Sequence, residues 1–419
     1  MHTAPDAIAP AVARLAAELV PELTAFRRRL HAHPERSGEE VATTAAVAER
    51  LRAAGLAPVV LRRGTGLVAD IPGGASRSGG ASGPGGAEPP AVVLRADLDA
   101  LAMPDTKTVP YASTVPGVAH ACGHDVHTSV VLGAGLVLTE VLRGVAGPGV
   151  RLVFEPCEET APGGAVEVID EGWLDGVRAV FGVHCDPKLD AGRVGLRTGP
   201  ITSACDLVTV RLSGPGGHTA RPHLTVDLVA VAGRLAADLQ AAIDRRLEDR
   251  GVASVVFGAL HAGTASNVIP GEATLIGTMR TPSPEVWVEA PATLEAAVTD
   301  VLGSSGAGWQ VDHRRGVPAV VNDAAATEVL AEVGEQLLGP DGVTGTEHSM
   351  GGDSFAWYAE RVPGSYARLG VHDPTSTQRR LDLHSGSFDV DERCIGYGVQ
   401  FLALAACRAL ERLGADGRL

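Results

Sequence analysis

Residues 150–159 read VRLVFEPCEE. Val150–Phe154 is a short apolar run of the kind that forms a buried strand, and it runs into Glu155-Pro156-Cys157-Glu158-Glu159. Adjacent acids after a buried strand are costly unless a metal neutralises them or proton transfer uses them. The competing reading of Glu158 and Glu159 is an exposed pair. The same arrangement recurs on both sides. Upstream, the strand Ala91–Leu94 runs into Arg95-Ala96-Asp97-Leu98-Asp99; downstream, the strand Val180–His184 itself ends on a histidine. An apolar helix is expected over Ser129–Leu142. Strands alternating with helices predict an α/β sheet flanked by helices. Open sheets of that kind place ligands beyond their strand ends.

Working outward, residues 11–51 carry apolar positions at helical spacing and read as two helices, followed by strand signal over Val59–Ile71. Residues 73–90, GGASRSGGASGPGGAEPP, are too poor in apolar side chains to bury a core and read as a loop. The middle of the chain changes pattern. Leu207–Ser213, Val226–Arg246, Val252–Ala262, Ala273–Thr281, Glu285–Leu302 and Trp309–Arg315 follow the order β-α-β-β-α-β, which is ferredoxin-like. The expectation is a catalytic domain, 1–202 and 317–419, with a mixed central sheet, interrupted by an inserted α+β domain over 203–316.

The chain has 419 residues, 45% of them hydrophobic, which fits a two-domain globular enzyme. A net charge of -15 argues against a nucleic-acid surface. No apolar stretch is long enough to span a bilayer and no leader is legible at the start, so a cytoplasmic location and no membrane partner are expected. Cys122, Cys157, Cys185, Cys205, Cys394 and Cys407 show no paired spacing, which disfavours a disulfide framework.

The densest chemistry is His120-Ala121-Cys122-Gly123-His124-Asp125-Val126-His127: a thiol, imidazoles and a carboxylate in a segment too short to fold back on itself. Those groups converge on little except a metal. A zinc ribbon needs a second Cys pair, and none follows. Asp97 and Asp99 share one face of extended backbone; they fit ligand orientation or a solvated strand end. His184 and His384, taken singly, also fit hydrogen-bonded structural histidines. Together these segments supply nearly the number of ligands that a two-metal site needs.

With these motifs in view, the chain resembles the dinuclear metal-dependent aminoacylases, hippurate hydrolases and auxin-conjugate hydrolases. The resemblance rests on FRRRLHAHPERSGEE, RADLDAL, HACGHDVHT, EPCEE with GGA and IDEGWLD, GVHCDP, GPGGHTARPH with VD, SNVIPGEATLIGTMR and LHSGSFDVDE, in that order. It implies hydrolysis of N-acyl-amino acids to a carboxylate and a free amino acid. It also implies two divalent metal ions per subunit, zinc or manganese first and nickel or cobalt as alternatives. The implied ligands are Cys122, His124, Glu159, His184 and His384, with Glu158 as general base and Asp97 and Asp99 behind the ligands. In the inserted lid domain, which would form a homodimer, His218 would polarise the scissile carbonyl in a partner's site. Asn267 and Arg280 would hold the substrate carboxylate. A dipeptidase or aminobenzoyl-glutamate-type hydrolase with the same machinery, or a non-catalytic metal-binding protein, are the competing functions.

The chain departs from the common family pattern in several places. Ala102 and Asp105 replace a common Pro and Glu. Glu155-Pro156-Cys157 replaces Gln-Pro-Ala, which is expected to bring one more negative charge and one more thiol near the metals. Cys185 adds another thiol. Gly351-Gly352-Asp353-Ser354-Phe355 stands where relatives usually read Gly-Ser-Glu-Asp-Phe, one acid short.

Overall fold

The computed structural model describes residues 5–73, 89–377 and 380–419. The loop expected over 73–90 lies, apart from its ends, outside the described residues. The chain divides into two compact units. The first holds the residues up to Ile201, then Val321–Glu347 and Ser354–Leu419; the second holds Thr202–Val320 and His348–Asp353. The last segment is a correction, because residues 317–419 were expected to return wholly to the larger domain. Its backbone explains the difference: Ser203 donates its N–H to Gly351 O, and Thr202 bridges Ser349.

The first unit is built on a mixed sheet. Its strands run in the order Val59–Val60, Leu67–Ile71, Val150–Glu155, Val92–Asp97, Ala179–Asp190, Gly364–His372, Val194–Leu196 and Val343–Gly345. The central strands are parallel, with Asp97 beside Glu155, Arg95 beside Gly182, and His184 beside Arg368. Asp97 and Glu155 therefore end neighbouring strands, and His184 is level with Asp97 on the next, inside a strand that was expected to stop at His184 but continues to Asp190 beside Gly364–His372. Val92, Leu94, Val150, Leu152 and Phe154 are fully buried, as a parallel sheet covered on both faces requires. The helix His124–Val141 packs on this sheet with Pro5–Ala32 and Arg393–Asp416. It starts earlier than the expected Ser129, because Gly123, at φ 89, turns the chain directly into it. A Cβ on Gly123 would lie 2.7 Å from Cys185 Sγ, so glycine is needed for space as well as for conformation.

In the second unit an antiparallel sheet runs Ser254–Ala262, Glu272–Thr281, Ala204–Ser213, Gly308–Val317. The first strand in sequence is central, and the helices Leu228–Leu247 and Pro284–Leu302 contribute to the same apolar cluster. Both helices start on side-chain caps: Asp227 accepts from Val229 N and Ala230 N, and Ser283 accepts from Val286 N. One buried carboxylate ties sheet to helix. Asp206 accepts from Trp287 Nε1, from His313 Nε2 at 2.8 Å and from Gly316 N at 3.0 Å, where the edge strand shifts register. No helix among the described residues is long and apolar enough to cross a membrane.

Candidate metal centre

Ligand-type atoms converge beyond the central strands of the first unit. Cys122, His124 and His184 form one group, and Cys122, Glu159 and His384 another; within each, the ligand atoms lie within 4.8 Å of one another. The two groups share Cys122. His124 also groups with Glu158 and Glu159.

Hydrogen bonds fix which atoms face inward. His184 Nδ1 lies 2.8 Å from Cys185 O, so it carries the proton, and the lone pair on Nε2 is directed at Cys122 Sγ, 3.5 Å away. Burial, with His127 and Arg368 nearby, holds the His184 pKa well below its usual value and keeps the ring neutral. His124 Nδ1 faces Asp99 Oδ1 at 3.3 Å and Asp97 Oδ1 at 3.8 Å. Its Nε2 faces Glu159 Oε1 at 3.7 Å and Glu158 Oε2 at 4.0 Å. A carboxylate behind the far nitrogen of a histidine is the usual way to orient a metal ligand.

His127 is different, although it groups with Asp97 and His124. Its Nε2 accepts the Cys185 N–H at 2.8 Å, so its Nδ1 must donate to Asp97 Oδ1 at 2.7 Å. Both ring nitrogens are committed, and His127 holds Asp97 rather than a metal. Asp97 also accepts from Arg95 Nη1 at 2.6 Å. Asp99, within ion-pair distance of His124, holds the backbone of the acid pair. It accepts the backbone N–H of Glu158 at 3.1 Å, that of Glu159 at 3.0 Å and the Ser37 hydroxyl at 2.6 Å. Burial opposes the charge on Asp97 and Asp99, but His124 first, with these donors behind it, lowers both pKa values.

The residues present fit a bound cation pair. Both His124 nitrogens and Glu159 Oε1 are buried without a hydrogen-bond partner, which is rare unless something else satisfies them. Burial disfavours a charged His124, yet Asp97, Cys122 and Asp99 raise its pKa well above the usual value. Burial and Glu159 push the Cys122 thiol well above its own. The cluster therefore calls for positive charge, and cation binding would release the thiol proton. His384 completes the second group from an exposed loop. Its backbone is at φ 57, its N–H donates to Ala121 O at 2.8 Å, and its Nε2 lies 3.4 Å from Glu159 Oε1.

The structure corrects the expectation for Glu155. Its carboxylate accepts from Arg95 Nε at 2.7 Å, so its charge is paired instead of added to the cluster. Cys157 is buried at φ 60, with Arg63 Nη1 2.9 Å from its sulfur. Burial and Glu40 push its pKa up to about 12. Cys185 is buried too, its Sγ 3.8 Å from Gly123 O.

Sequence reasoning left other residues without a role. Arg27 and His31, four residues apart on the first helix, both reach Asp125 Oδ2, at 2.6 and 2.7 Å, and anchor the start of the His124 helix. That i, i+4 spacing of polar residues in a helix with an apolar face was the available signal. His120 is buried with neither ring nitrogen partnered, and burial pushes its pKa down to about 3. Ser354 donates its N–H to Glu158 Oε1 at 3.2 Å.

In the second unit, His218 and Asn267 lie together. The short strands Gly217–His218 and Val268–Ile269 pair, and Thr219 N donates to Asn267 O at 3.2 Å. His218 is exposed; its Nδ1 accepts from Ala220 N at 3.0 Å, which leaves the proton on Nε2. Arg280 sits on the main sheet and donates Nη1 to Met350 O at 2.7 Å.

A mixed sheet with histidine, thiol and carboxylate groups gathered where its central parallel strands Val92–Asp97 and Val150–Glu155 end is the site of a metal-dependent hydrolase class. The chain belongs to peptidase family M20/M25/M40, matched over residues 93–408. It is 45% identical over 381 residues to a Rhodococcus jostii protein named "Putative glutamate--cysteine ligase 2-3", a match covering 91% of this chain and 46% of that protein. The chain thus spans about half the length of that relative. It is 35% identical over 396 residues to the Bacillus subtilis N-acetyl-L-cysteine deacetylase, covering 93% of this chain and 88% of that protein. Among solved structures it is similar to the Bacillus subtilis YXEP protein, a dinuclear metal binding peptidase of the M20 family. There the TM-score is 0.76 at 30% identity, over 94% of this chain and 99% of that one.

Proposed function

We propose that the protein hydrolyses the amide bond of N-acyl-amino acids, releasing a carboxylate and a free amino acid, with Glu158 as general base. The observation that carries this reading is the place of Glu158. Its Oε2 lies 4.0 Å from His124 Nε2 beside a Cys–His–Glu cluster, and its Oε1 is held from behind by Ser354 N–H. A scaffold that only bound metal would have no use for such an acid. The named activity of the Bacillus deacetylase supports the substrate class. Less than half of the Rhodococcus relative is matched, so its named activity is not carried over.

The proposed ligands of two divalent cations are Cys122, His124 and His184 for one and Cys122, Glu159 and His384 for the other, with Cys122 shared. The two metals of the YXEP protein support that number. A thiolate ligand leans towards softer, later metals such as zinc, and manganese is the second candidate. When bound, the cations supply an acidified water and positive charge for the carbonyl oxygen. Glu158 takes the proton of the attacking water and returns it to the amide nitrogen as the C–N bond breaks. Asp99 keeps the backbone of the acid pair still throughout.

The second unit is proposed to act as a lid and as the seam of a homodimer, with His218 serving the partner subunit's site. The proton on its Nε2 suits donation to a carbonyl oxygen that gains charge. Asn267 and Arg280 are proposed to hold the substrate carboxylate. Arg280 has further guanidinium donors beyond the one directed at Met350 O. Mixing His218→Ala and Glu158→Gln chains should restore activity in hybrid dimers; no recovery after verified subunit exchange would contradict a shared site. Amine release from a panel of N-acyl-amino acids and dipeptides tests the substrate class. Turnover of acyl-amino acids is expected, and turnover of dipeptides alone would overturn the reading.

A further inference from the structure

The proposed chemistry leaves unused a polar knot buried behind Glu158. Arg95 is 1% exposed. It donates Nε to Glu155 Oε2 at 2.7 Å, Nη1 to Asp97 Oδ2 at 2.6 Å and Nη2 to Ser354 Oγ at 2.8 Å. Ser354, itself fully buried, donates its hydroxyl to Glu155 Oε1 at 2.6 Å. The same Glu155 oxygen accepts Ala165 N–H at 2.7 Å. From the other side of the same residue, Ser354 N–H donates to Glu158 Oε1 at 3.2 Å. Ser354 therefore joins the knot to the acid.

Two observations set this contact apart from ordinary packing. Ser354 stands at the N-cap of the short helix Phe355–Ala359, where a serine hydroxyl ordinarily caps the first turn. It makes no cap bond, because the hydroxyl is committed to Glu155 and Arg95. The loop opposite is also shaped to admit it. Gly163 is at φ +87, and a Cβ there would lie 2.5 Å from Ser354 Cβ.

We propose that Ser354 is a positioning residue for Glu158. The Arg95–Glu155 pair clamps its hydroxyl, and the clamped residue presents a fixed N–H to Glu158 Oε1. That contact turns Oε2 towards the ligand cluster. A glutamate on a loop samples many side-chain rotamers, and holding one oxygen from behind selects the productive one before substrate arrives. Ser354 acts through Glu158 rather than on the reacting atoms, so this role rests on the reading of Glu158 as general base.

The test is Ser354→Ala in the metal-loaded full chain, with kcat, KM and metal content measured together, and a crystal structure of the metal-free variant. A misplaced catalytic group costs on the order of tenfold or more. The expected result is a kcat loss of that size, with KM and metal content unchanged and the Glu158 carboxylate displaced from the backbone of residue 354. In a Glu158→Gln background, Ser354→Ala should cost nothing further. Unchanged kcat, a loss that tracks metal content, or an equal loss in the Glu158→Gln background would each overturn the positioning role. Full turnover by Glu158→Gln alone would instead remove the general base itself, which is a different result from a silent Ser354→Ala.

Discussion

The two units bury their carboxylates to different ends. In the first, Asp97, Asp99, Asp125 and Glu155 are all buried, and each is held by a guanidinium, an imidazole or backbone N–H groups around the ligand cluster. In the second, Asp206 is tied by Trp287, His313 and Gly316, and it holds helix to sheet. Two of the marked residues of that unit, His218 and Asn267, are exposed at a small two-stranded ribbon, and the third, Arg280, is half-buried on the main sheet. Buried charge in the first unit supports a site; in the second it supports a fold.

That contrast can be broken experimentally. The largest effect is expected from Glu158→Gln, because general base catalysis contributes about 100- to 10,000-fold. Steady-state kinetics should show a loss in that range while metal stays bound. Next is Arg95→Met, which leaves Glu155 and Asp97 without their guanidinium. Breaking a buried pair costs about 3–5 kcal/mol, and denaturant unfolding should show a loss of that order. Asp206→Asn should cost less, about 1–3 kcal/mol for donors left unsatisfied, with kcat and metal content unchanged. A kcat loss there would show that the second unit's carboxylate serves the site after all.

The smallest effect is a pH dependence. Burial opposes the Asp206 charge, but His313, Gly316 and Trp287 hold its pKa below the usual carboxylate value. The unfolded chain therefore binds the Asp206 proton first as pH falls. Its stabilisation is complete above about pH 4, the unfolded aspartate value, and is lost as pH drops through the folded pKa. Urea unfolding below that pH should show a shallower slope for Asp206→Asn than for the parent; equal slopes would contradict the assignment.

Much of this was legible from local pattern. Cys122 stands just before an apolar helix that His124 begins, and Glu159 and His184 follow or close apolar runs that read as neighbouring strands, so these segments could be marked as candidates from local pattern. The β-α-β-β-α-β order of the middle segment was equally plain. What local pattern could not carry was contact between distant polar residues. Glu155 and Ser354 were noted as separate departures, yet they meet at 2.6 Å across 199 residues of chain. Seen apart, one reads as added charge and the other as a missing acid; together they form one hydrogen-bonded pair on Arg95. Arg27 and His31 on Asp125, and the return of His348–Asp353 to the second unit, were hidden for the same reason.

The most direct measurement is the metal content of Cys122→Ala beside His184→Ala and His384→Ala. Cys122 is the one residue common to both ligand groups. The parent is expected to hold about two divalent ions per chain, as two-metal hydrolytic sites do. Each histidine variant should lose about one, and Cys122→Ala should lose both. A Cys122→Ala chain that keeps its full complement of metal would contradict a centre built around that thiol.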